Sequence, residues 1–295
     1  LSGHTGLNRL NMMRLRPAPM QVTWLGYPAA TGLPQMDYRI SDSLADPLPK
    51  PSSSERAGID PDVTSEPSQG SEFRTEKLIR LPGAFLCYQG DESVPLQREL
   101  RQEIAFASFN NFSKINERVI GVWAALMTRV CGSTLLVKNS QLQCAKTKAL
   151  FIKRFAEFGV SPSRIECMSY VASQSEHLAL YNRVDIALDT FPYNGTTTTF
   201  EALSMGVPVV TFAGDRHAAR VGASILTELG LPELVGENSD DYIHIAEALA
   251  NDSHRRIELH ESLRKRLQHS SLCDGPAFTQ KLELALEQAW QELGN

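Results

Sequence analysis

The chain of 295 residues reads as an α/β protein built on a parallel, doubly wound sheet, and three observations predict this. From Glu103 onward, short apolar runs alternate with helical patterns at regular spacing, as strand–helix–strand units require. The apolar runs end in polar loops, at the edge where open α/β sheets take their ligands. A hydrophobic content of 42 % supports a sizeable core.

Taken in order, residues 21–28 and 37–40 are short strand-like runs joined by a Gly/Pro loop. Residues 46–75 lose the apolar period and are rich in Ser, Pro, Glu and Asp, so a surface insertion or disordered loop is expected. Order resumes at 76–83 and 85–88, and a polar gap at about 89–102 reads as an interdomain linker. Strands are then expected at 104–109, 133–137, 165–170, 185–188 and 207–212. Helices are expected at 116–129, 146–158, 175–182 and 218–229, with one more opening at a threonine run. The 116–129 helix carries its apolar stripe on Val119, Ile120, Trp123, Leu126 and Met127. Helical segments at about 239–250, 254–268 and 276–293 close the chain. The expected division is 1–100 and 101–295.

The most informative stretch is Asp189-Thr190-Phe191-Pro192-Tyr193-Asn194-Gly195, followed by Thr196 to Thr199, Phe200 and Glu201. A buried strand, a tight turn and a helix opening on hydroxyls together make an anion-binding device, because the first amides of a helix lack intrahelical partners and its dipole favours negative charge. The alternative is ordinary capping, which needs fewer than four threonines. Glu201, one turn in, can accept from sugar hydroxyls. Lys114, in the loop Phe109-Asn110-Asn111-Phe112-Ser113-Lys114, stands where a helix dipole disfavours a cation, which suggests an anion to balance it. An ammonium there can neutralise a departing diphosphate. His177, early in a helix, can pack on a nucleotide or simply be half-exposed. His4, among Ser2, Gly3, Thr5 and Gly6, is a candidate base or sugar contact on weaker grounds. Arg216, His217 and Arg220 can face phosphates or solvate a helix. Asp240 and Asp241 are explained by N-capping.

A net charge of -5 argues against a nucleic-acid surface, so any phosphate contact is local. Five scattered cysteines point to a reducing compartment, and a cytoplasmic protein is expected, or a nuclear one if the source is eukaryotic. No apolar run reaches membrane-spanning length. No Asp-x-Asp follows a strand in the ligand-facing loops, so no metal is expected. The start at Leu1 suggests a piece of a longer chain.

Several stretches resemble the catalytic region of the O-GlcNAc transferase/SPINDLY family of protein O-glycosyltransferases. They are Leu1 to Thr5, Arg16 to Pro28, Asp37 to Asp42, Leu81 to Tyr88, Phe109 to Ile115, Leu188 to Glu201 and Val221 to Ser224; they occur in family order, and the resemblance covers nearly all the chain except the 46–75 insertion. The resemblance implies a glycosyltransferase-B fold of two Rossmann-like lobes, the N-terminal lobe incomplete, with a nucleotide-sugar held mostly by the C-terminal lobe. It assigns Asn111 and Lys114 to the diphosphate, His177 to the base, Thr197 and Thr198 to the phosphates, and Glu201 to the ribose. His4 falls in a loop lining the donor and acceptor cleft. Inverting, metal-independent transfer to Ser/Thr hydroxyls of acceptor proteins is implied, without a cofactor and with UDP-GlcNAc as default donor. The Phe-Pro-Tyr-Asn-Gly wording is closer to SPINDLY-like and bacterial members, some of which resemble O-fucosyltransferases using GDP-fucose. Leu180 replaces a basic residue found in animal members. Tetratricopeptide repeats are expected upstream. An inactive nucleotide-binding fragment is the alternative from another class.

Overall fold

A computed structural model of the chain describes residues 8–48, 76–91, 93–97 and 103–294. The chain forms two compact units. The first comprises Leu1–Leu86, Asp215–Ala218 and Pro276–Asn295, and the second Cys87–Gly214 and Ala219–Gly275.

The first unit opens with a single helical turn, α1 (Leu10–Met13), and carries the strands β1 (Val22–Thr23), β2 (Tyr38–Asp42) and β3 (Lys77–Leu81). They form a parallel sheet in the order β1-β2-β3, with Tyr38 opposite both Val22 and Lys77. All five residues of β2 are buried, as the central strand of a covered parallel sheet must be.

The second unit holds the regular alternation. Its elements are β4 (Ala105–Ser108), α2 (Glu117–Arg129), β5 (Thr134–Lys138), α3 (Ala145–Glu157), β6 (Ile165–Met168), α4 (Gln174–Ala179), β7 (Ile186–Leu188), α5 (Thr197–Ser204), β8 (Val209–Phe212), α6 (Val221–Glu228), β9 (Val235–Gly236), α7 (Ser239–Asn251) and α8 (Ser253–Gln268). The last helix of the chain is α9 (Gly275–Leu293). Six parallel strands lie in the order β6-β5-β4-β7-β8-β9, the doubly wound arrangement. Helix α2 begins at Asn116, whose side chain accepts from the Val119 amide, and it buries the expected stripe. Helix α7 is capped by Asn238, which accepts from Asp240 and Asp241; those two residues are the first turn rather than the cap.

Four expectations differ from the structure. Helix α9, expected with the second lobe, packs within the first unit: Trp24 stacks on Phe278 at 5.6 Å, and Tyr38 Oη donates to the Ala289 carbonyl at 3.1 Å. The polar stretch expected as a linker at about 89–102 belongs, with Cys87 and Tyr88 before it, to the second unit. Tyr88 stacks on Phe200 at 4.7 Å and the Gln97 amide donates to Asn182, so contacts within that unit flank the stretch. The insertion starts later than expected, because Asp46 is buried and ion-paired to Arg39 at 3.1 Å; residues 49–75 lie outside the described residues. The helix expected at 175–182 ends at Ala179 and tightens into a 3₁₀ turn over Leu180–Arg183.

Candidate functional site

Strands β4 and β7 are neighbours at the centre of the six-stranded sheet, where the strand order reverses. Their carboxyl ends open the crevice in which doubly wound sheets bind ligands. The loop after β4 carries Asn110, Asn111 and Lys114, and the loop after β7 carries Asp189 to Thr196.

Lys114 ends a 3₁₀ turn over Phe112–Lys114. Its Nζ donates to the Asn194 carbonyl at 2.7 Å and lies 3.8 Å from the centre of the Tyr193 ring. Burial pushes this ammonium below the usual lysine range, while the charge of Asp189 pushes back. Asn111 is exposed and its side chain accepts from the Ser113 amide and hydroxyl, closing that turn. Its neighbour Asn110, buried, makes the longer reach: its Oδ1 accepts from the Thr198 hydroxyl at 3.0 Å. Asn110 was not among the expected site residues.

The four threonines divide the work. Thr196 sits at the N-cap of α5 without a side-chain cap bond, Thr197 is exposed, Thr198 is half-buried on Asn110, and Thr199 is buried. Gly195 precedes them with no room for a side chain: a Cβ there would stand 2.6 Å from Thr198 Oγ1 and 2.9 Å from Asn110 Oδ1. Its amide donates inward, to Asp189 Oδ1 at 2.6 Å. The amides that lead α5 toward a ligand are therefore those of Thr197 and Thr198, which have no intrahelical acceptor.

Beside this turn runs a second polar chain. His177, on α4, places Nε2 3.0 Å from Glu201 Oε2 on α5 and Nδ1 2.9 Å from Lys138 Nζ at the end of β5. A lysine ammonium can only donate, so Nδ1 accepts and Nε2 carries the proton offered to Glu201. Gln174 completes the carboxylate at 3.4 Å. Phe109 and Tyr181 pack against the imidazole at 5.6 and 5.8 Å. Burial lowers the Lys138 ammonium and Glu201 raises it. Lys138 was missed from the sequence, although a lysine closing the apolar run Leu135-Leu136-Val137 at a ligand-facing edge is the signal that could have found it.

The structure thus brings Lys114, Thr197, Thr198, His177 and Glu201 to one edge of the second unit, with Asn111 on its outer side. His4 lies outside the described residues. Among the described residues, no group of three or more His, Cys, Asp or Glu could hold a metal ion, and no helix is long and apolar enough to cross a membrane.

These features define a Rossmann-like unit of the glycosyltransferase-B class, and the comparisons with known proteins agree. Residues 1–57 and 97–282 match the pattern of glycosyl transferase family 41, and the chain belongs to that family. It is 43 % identical over 295 residues to a rice (Oryza sativa subsp. japonica) protein named as a probable UDP-N-acetylglucosamine–peptide N-acetylglucosaminyltransferase SPINDLY, covering 99 % of this chain and 30 % of the relative. A solved structure of a mutant O-GlcNAc transferase from Thermobaculum terrenum superposes with a TM-score of 0.86 at 34 % identity, covering 99 % of this chain and 52 % of that one. The lipopolysaccharide outer core galactosyltransferase WaaB shares the fold alone, with a TM-score of 0.53 at 13 % identity over 90 % of this chain and 68 % of that one. The chain spans about 30 % of the length of the curated relatives it matches.

Proposed function

We propose that the chain is part of an inverting protein O-glycosyltransferase that moves a sugar from a nucleotide-sugar to serine or threonine hydroxyls. The observation that carries the reading is Lys114, a desolvated ammonium held against Asn194 at the sheet's switch point, beside the open end of α5. In such a transfer the hydroxyl oxygen bonds to the anomeric carbon and gives up its proton to a general base, while the bond to the diphosphate breaks, through an oxocarbenium-like state. The bond electrons leave with the diphosphate. Lys114, the Thr197 and Thr198 amides and the helix dipole stand ready to take up that charge, so the role a divalent ion plays elsewhere falls to the protein. The Glu201 carboxylate, held by His177 and Gln174, is suited to ribose hydroxyls, and the imidazole face to the base.

UDP-GlcNAc is the default donor on the strength of the names the relatives carry. GDP-fucose is the second reading, supported by the Phe191-Pro192-Tyr193-Asn194-Gly195 wording. A thermal-shift comparison separates them: the nucleotide that binds raises the melting temperature, by about 2.7 kcal/mol of stabilisation at a hundredfold excess over Kd. No shift with either UDP or GDP would overturn the reading. Transfer of labelled sugar to a serine/threonine peptide tests the chemistry. Lys114→Ala is expected to lower its rate by roughly 10²–10³, the usual loss for one preorganised donor to a developing charge.

A further inference from the structure

One charged group of the second unit has no part in the contacts proposed above. Asp189 is 1 % exposed at the end of β7, yet it carries a carboxylate. Its Oδ1 accepts from the Gly195 amide at 2.6 Å and from the Thr190 amide at 2.8 Å, and its Oδ2 accepts from the Thr211 hydroxyl at 2.7 Å. Asn110 Nδ2 stands 3.4 Å from the same Oδ1. The backbone is pinned as well, since the Asp189 carbonyl accepts from Tyr242 Oη at 3.0 Å and Tyr242 is tied to Trp123. Gly222 of α6 must lack a side chain here, because a Cβ would meet Thr211 Oγ1 at 2.4 Å and Asp189 Oδ2 at 2.7 Å.

Each partner leads into the site. Asn194 donates to the Thr190 carbonyl, accepts from the Gly222 amide, and offers its own carbonyl to Lys114. Asn110 holds Thr198. A loop that needed only a cap would be served by a neutral acceptor, without the penalty of a dry charge. The charge that Asp189 faces is that of Lys114 across the turn; Tyr242 is the other titratable group against it, and the contacts from β8 and α6 are the neutral Thr211 and Gly222.

We propose that Asp189 is a positioning residue of the donor site: by accepting from Gly195 and Thr190 together it sets the turn whose Asn194 carbonyl holds Lys114, and its charge balances the lysine's. The inference rests on reading this edge as the site for a nucleoside-diphosphate sugar. Burial pushes the Asp189 carboxyl up to about 6, against the bonds from Gly195, Thr211 and Thr190 and the charge of Lys114. Protonation near that pH removes the charge that strengthens the bonds from the Gly195 and Thr190 amides, although the Thr211 hydroxyl can turn to accept the new proton. Donor affinity therefore falls as the solution is acidified. A carboxylate that was merely a like charge behind the site would give the opposite sign, with the anionic donor binding tighter in acid.

The test is calorimetric titration of the chain with UDP-GlcNAc and with GDP-fucose from pH 5 to 8. These donors lack the terminal phosphate whose second proton, with a pKa of about 6, would confuse the profile. The wild type is expected to lose about tenfold in affinity between pH 7.5 and 5, roughly one pKa unit of coupling. Asp189→Asn is expected to be weaker at pH 7.5 and flat across the range. Thr211→Val keeps the charge and removes one donor to it, so its acid limb is expected to move to higher pH even if Asp189→Asn does not fold. An acid limb unmoved in Thr211→Val, or affinity that rises on acidification, overturns the inference while leaving the donor site standing. Binding of neither donor at any pH brings down the donor-site reading and the inference together.

Discussion

Lys114 and Lys138 illustrate how differently two lysines at one sheet edge can be used. Lys114 faces a carbonyl and a ring face, both of which it can leave for a phosphate. Lys138 faces the Nδ1 of His177 and so determines which nitrogen carries the proton offered to Glu201. Lys138→Met keeps the apolar stem and deletes the donor, so nucleotide affinity is expected to fall roughly tenfold, the worth of one charged hydrogen bond. Unchanged affinity by calorimetry would remove Lys138 from the site. Asp189 adds a stability prediction with a definite sign. Its folded-state pKa of about 6 lies above the ordinary 3.8, so the folded state holds its proton longer and stability declines as pH rises between those values. Asp189→Asn removes that decline. It is expected to melt about 2–4 °C above the wild type at pH 7.5, with the gap closing toward pH 4, while losing donor affinity. Residues at this scale were partly legible. Lys114, His177, Thr198 and Glu201 stand at strand ends and helix starts, which sequence marks; Asn110 and Lys138 earn their place only through partners about 88 and 39 positions away.

At the scale of elements, α5 shows why a helix start was readable and its details were not. The turn before it is specified locally by Pro192, Asn194 and Gly195, but the direction of the Gly195 amide is decided by Asp189 behind it. Gly195→Ala places a methyl against Thr198 Oγ1 and Asn110 Oδ1, a small-to-large change in a packed place, and is expected to cost roughly 1–3 kcal/mol. Thermal melting reads that cost, and donor titration reads the displaced threonines. A Gly195→Ala variant with wild-type melting and binding would show that the turn has slack. The long amphipathic helices α2 and α7 fell where periodicity placed them, since each buries one stripe on the sheet. Strand β9, two residues long, carries no readable period and is placed by its pairing with β8 and its packing against α7.

At the scale of the whole molecule, chain order and unit membership part company. Segment 215–218 belongs to the first unit although residues on both sides belong to the second. Within that first unit His217 Nδ1 lies 2.7 Å from Asp46 Oδ2, which also accepts from Ser41 at 2.6 Å and pairs with Arg39 at 3.1 Å. Burial alone would raise the Asp46 carboxyl, but His217, Ser41 and Arg39 outweigh it and hold it well below the ordinary carboxylate range. A lowered folded-state pKa contributes stability above the ordinary value of 3.8 and loses it only as pH falls toward the folded one. Asp46→Asn strands a buried arginine and is expected to destabilise the chain by about 3 kcal/mol at pH 7, with the difference shrinking in strong acid. Equal melting of the two proteins at pH 7 would refute this.

The sequence by itself determined the alternation of strands and helices, the parallel doubly wound class, and the edge at which ligand-facing loops gather. Periodicity and turn chemistry are local, so they are written along the chain. The tertiary structure alone decided that α9 and segment 215–218 join the first unit and that Lys138 orients His177. It also decided that a buried carboxylate at position 189 stands behind the turn. Each of these depends on which distant residues meet, and burial sets their cost and their charge only after the chain has closed around them.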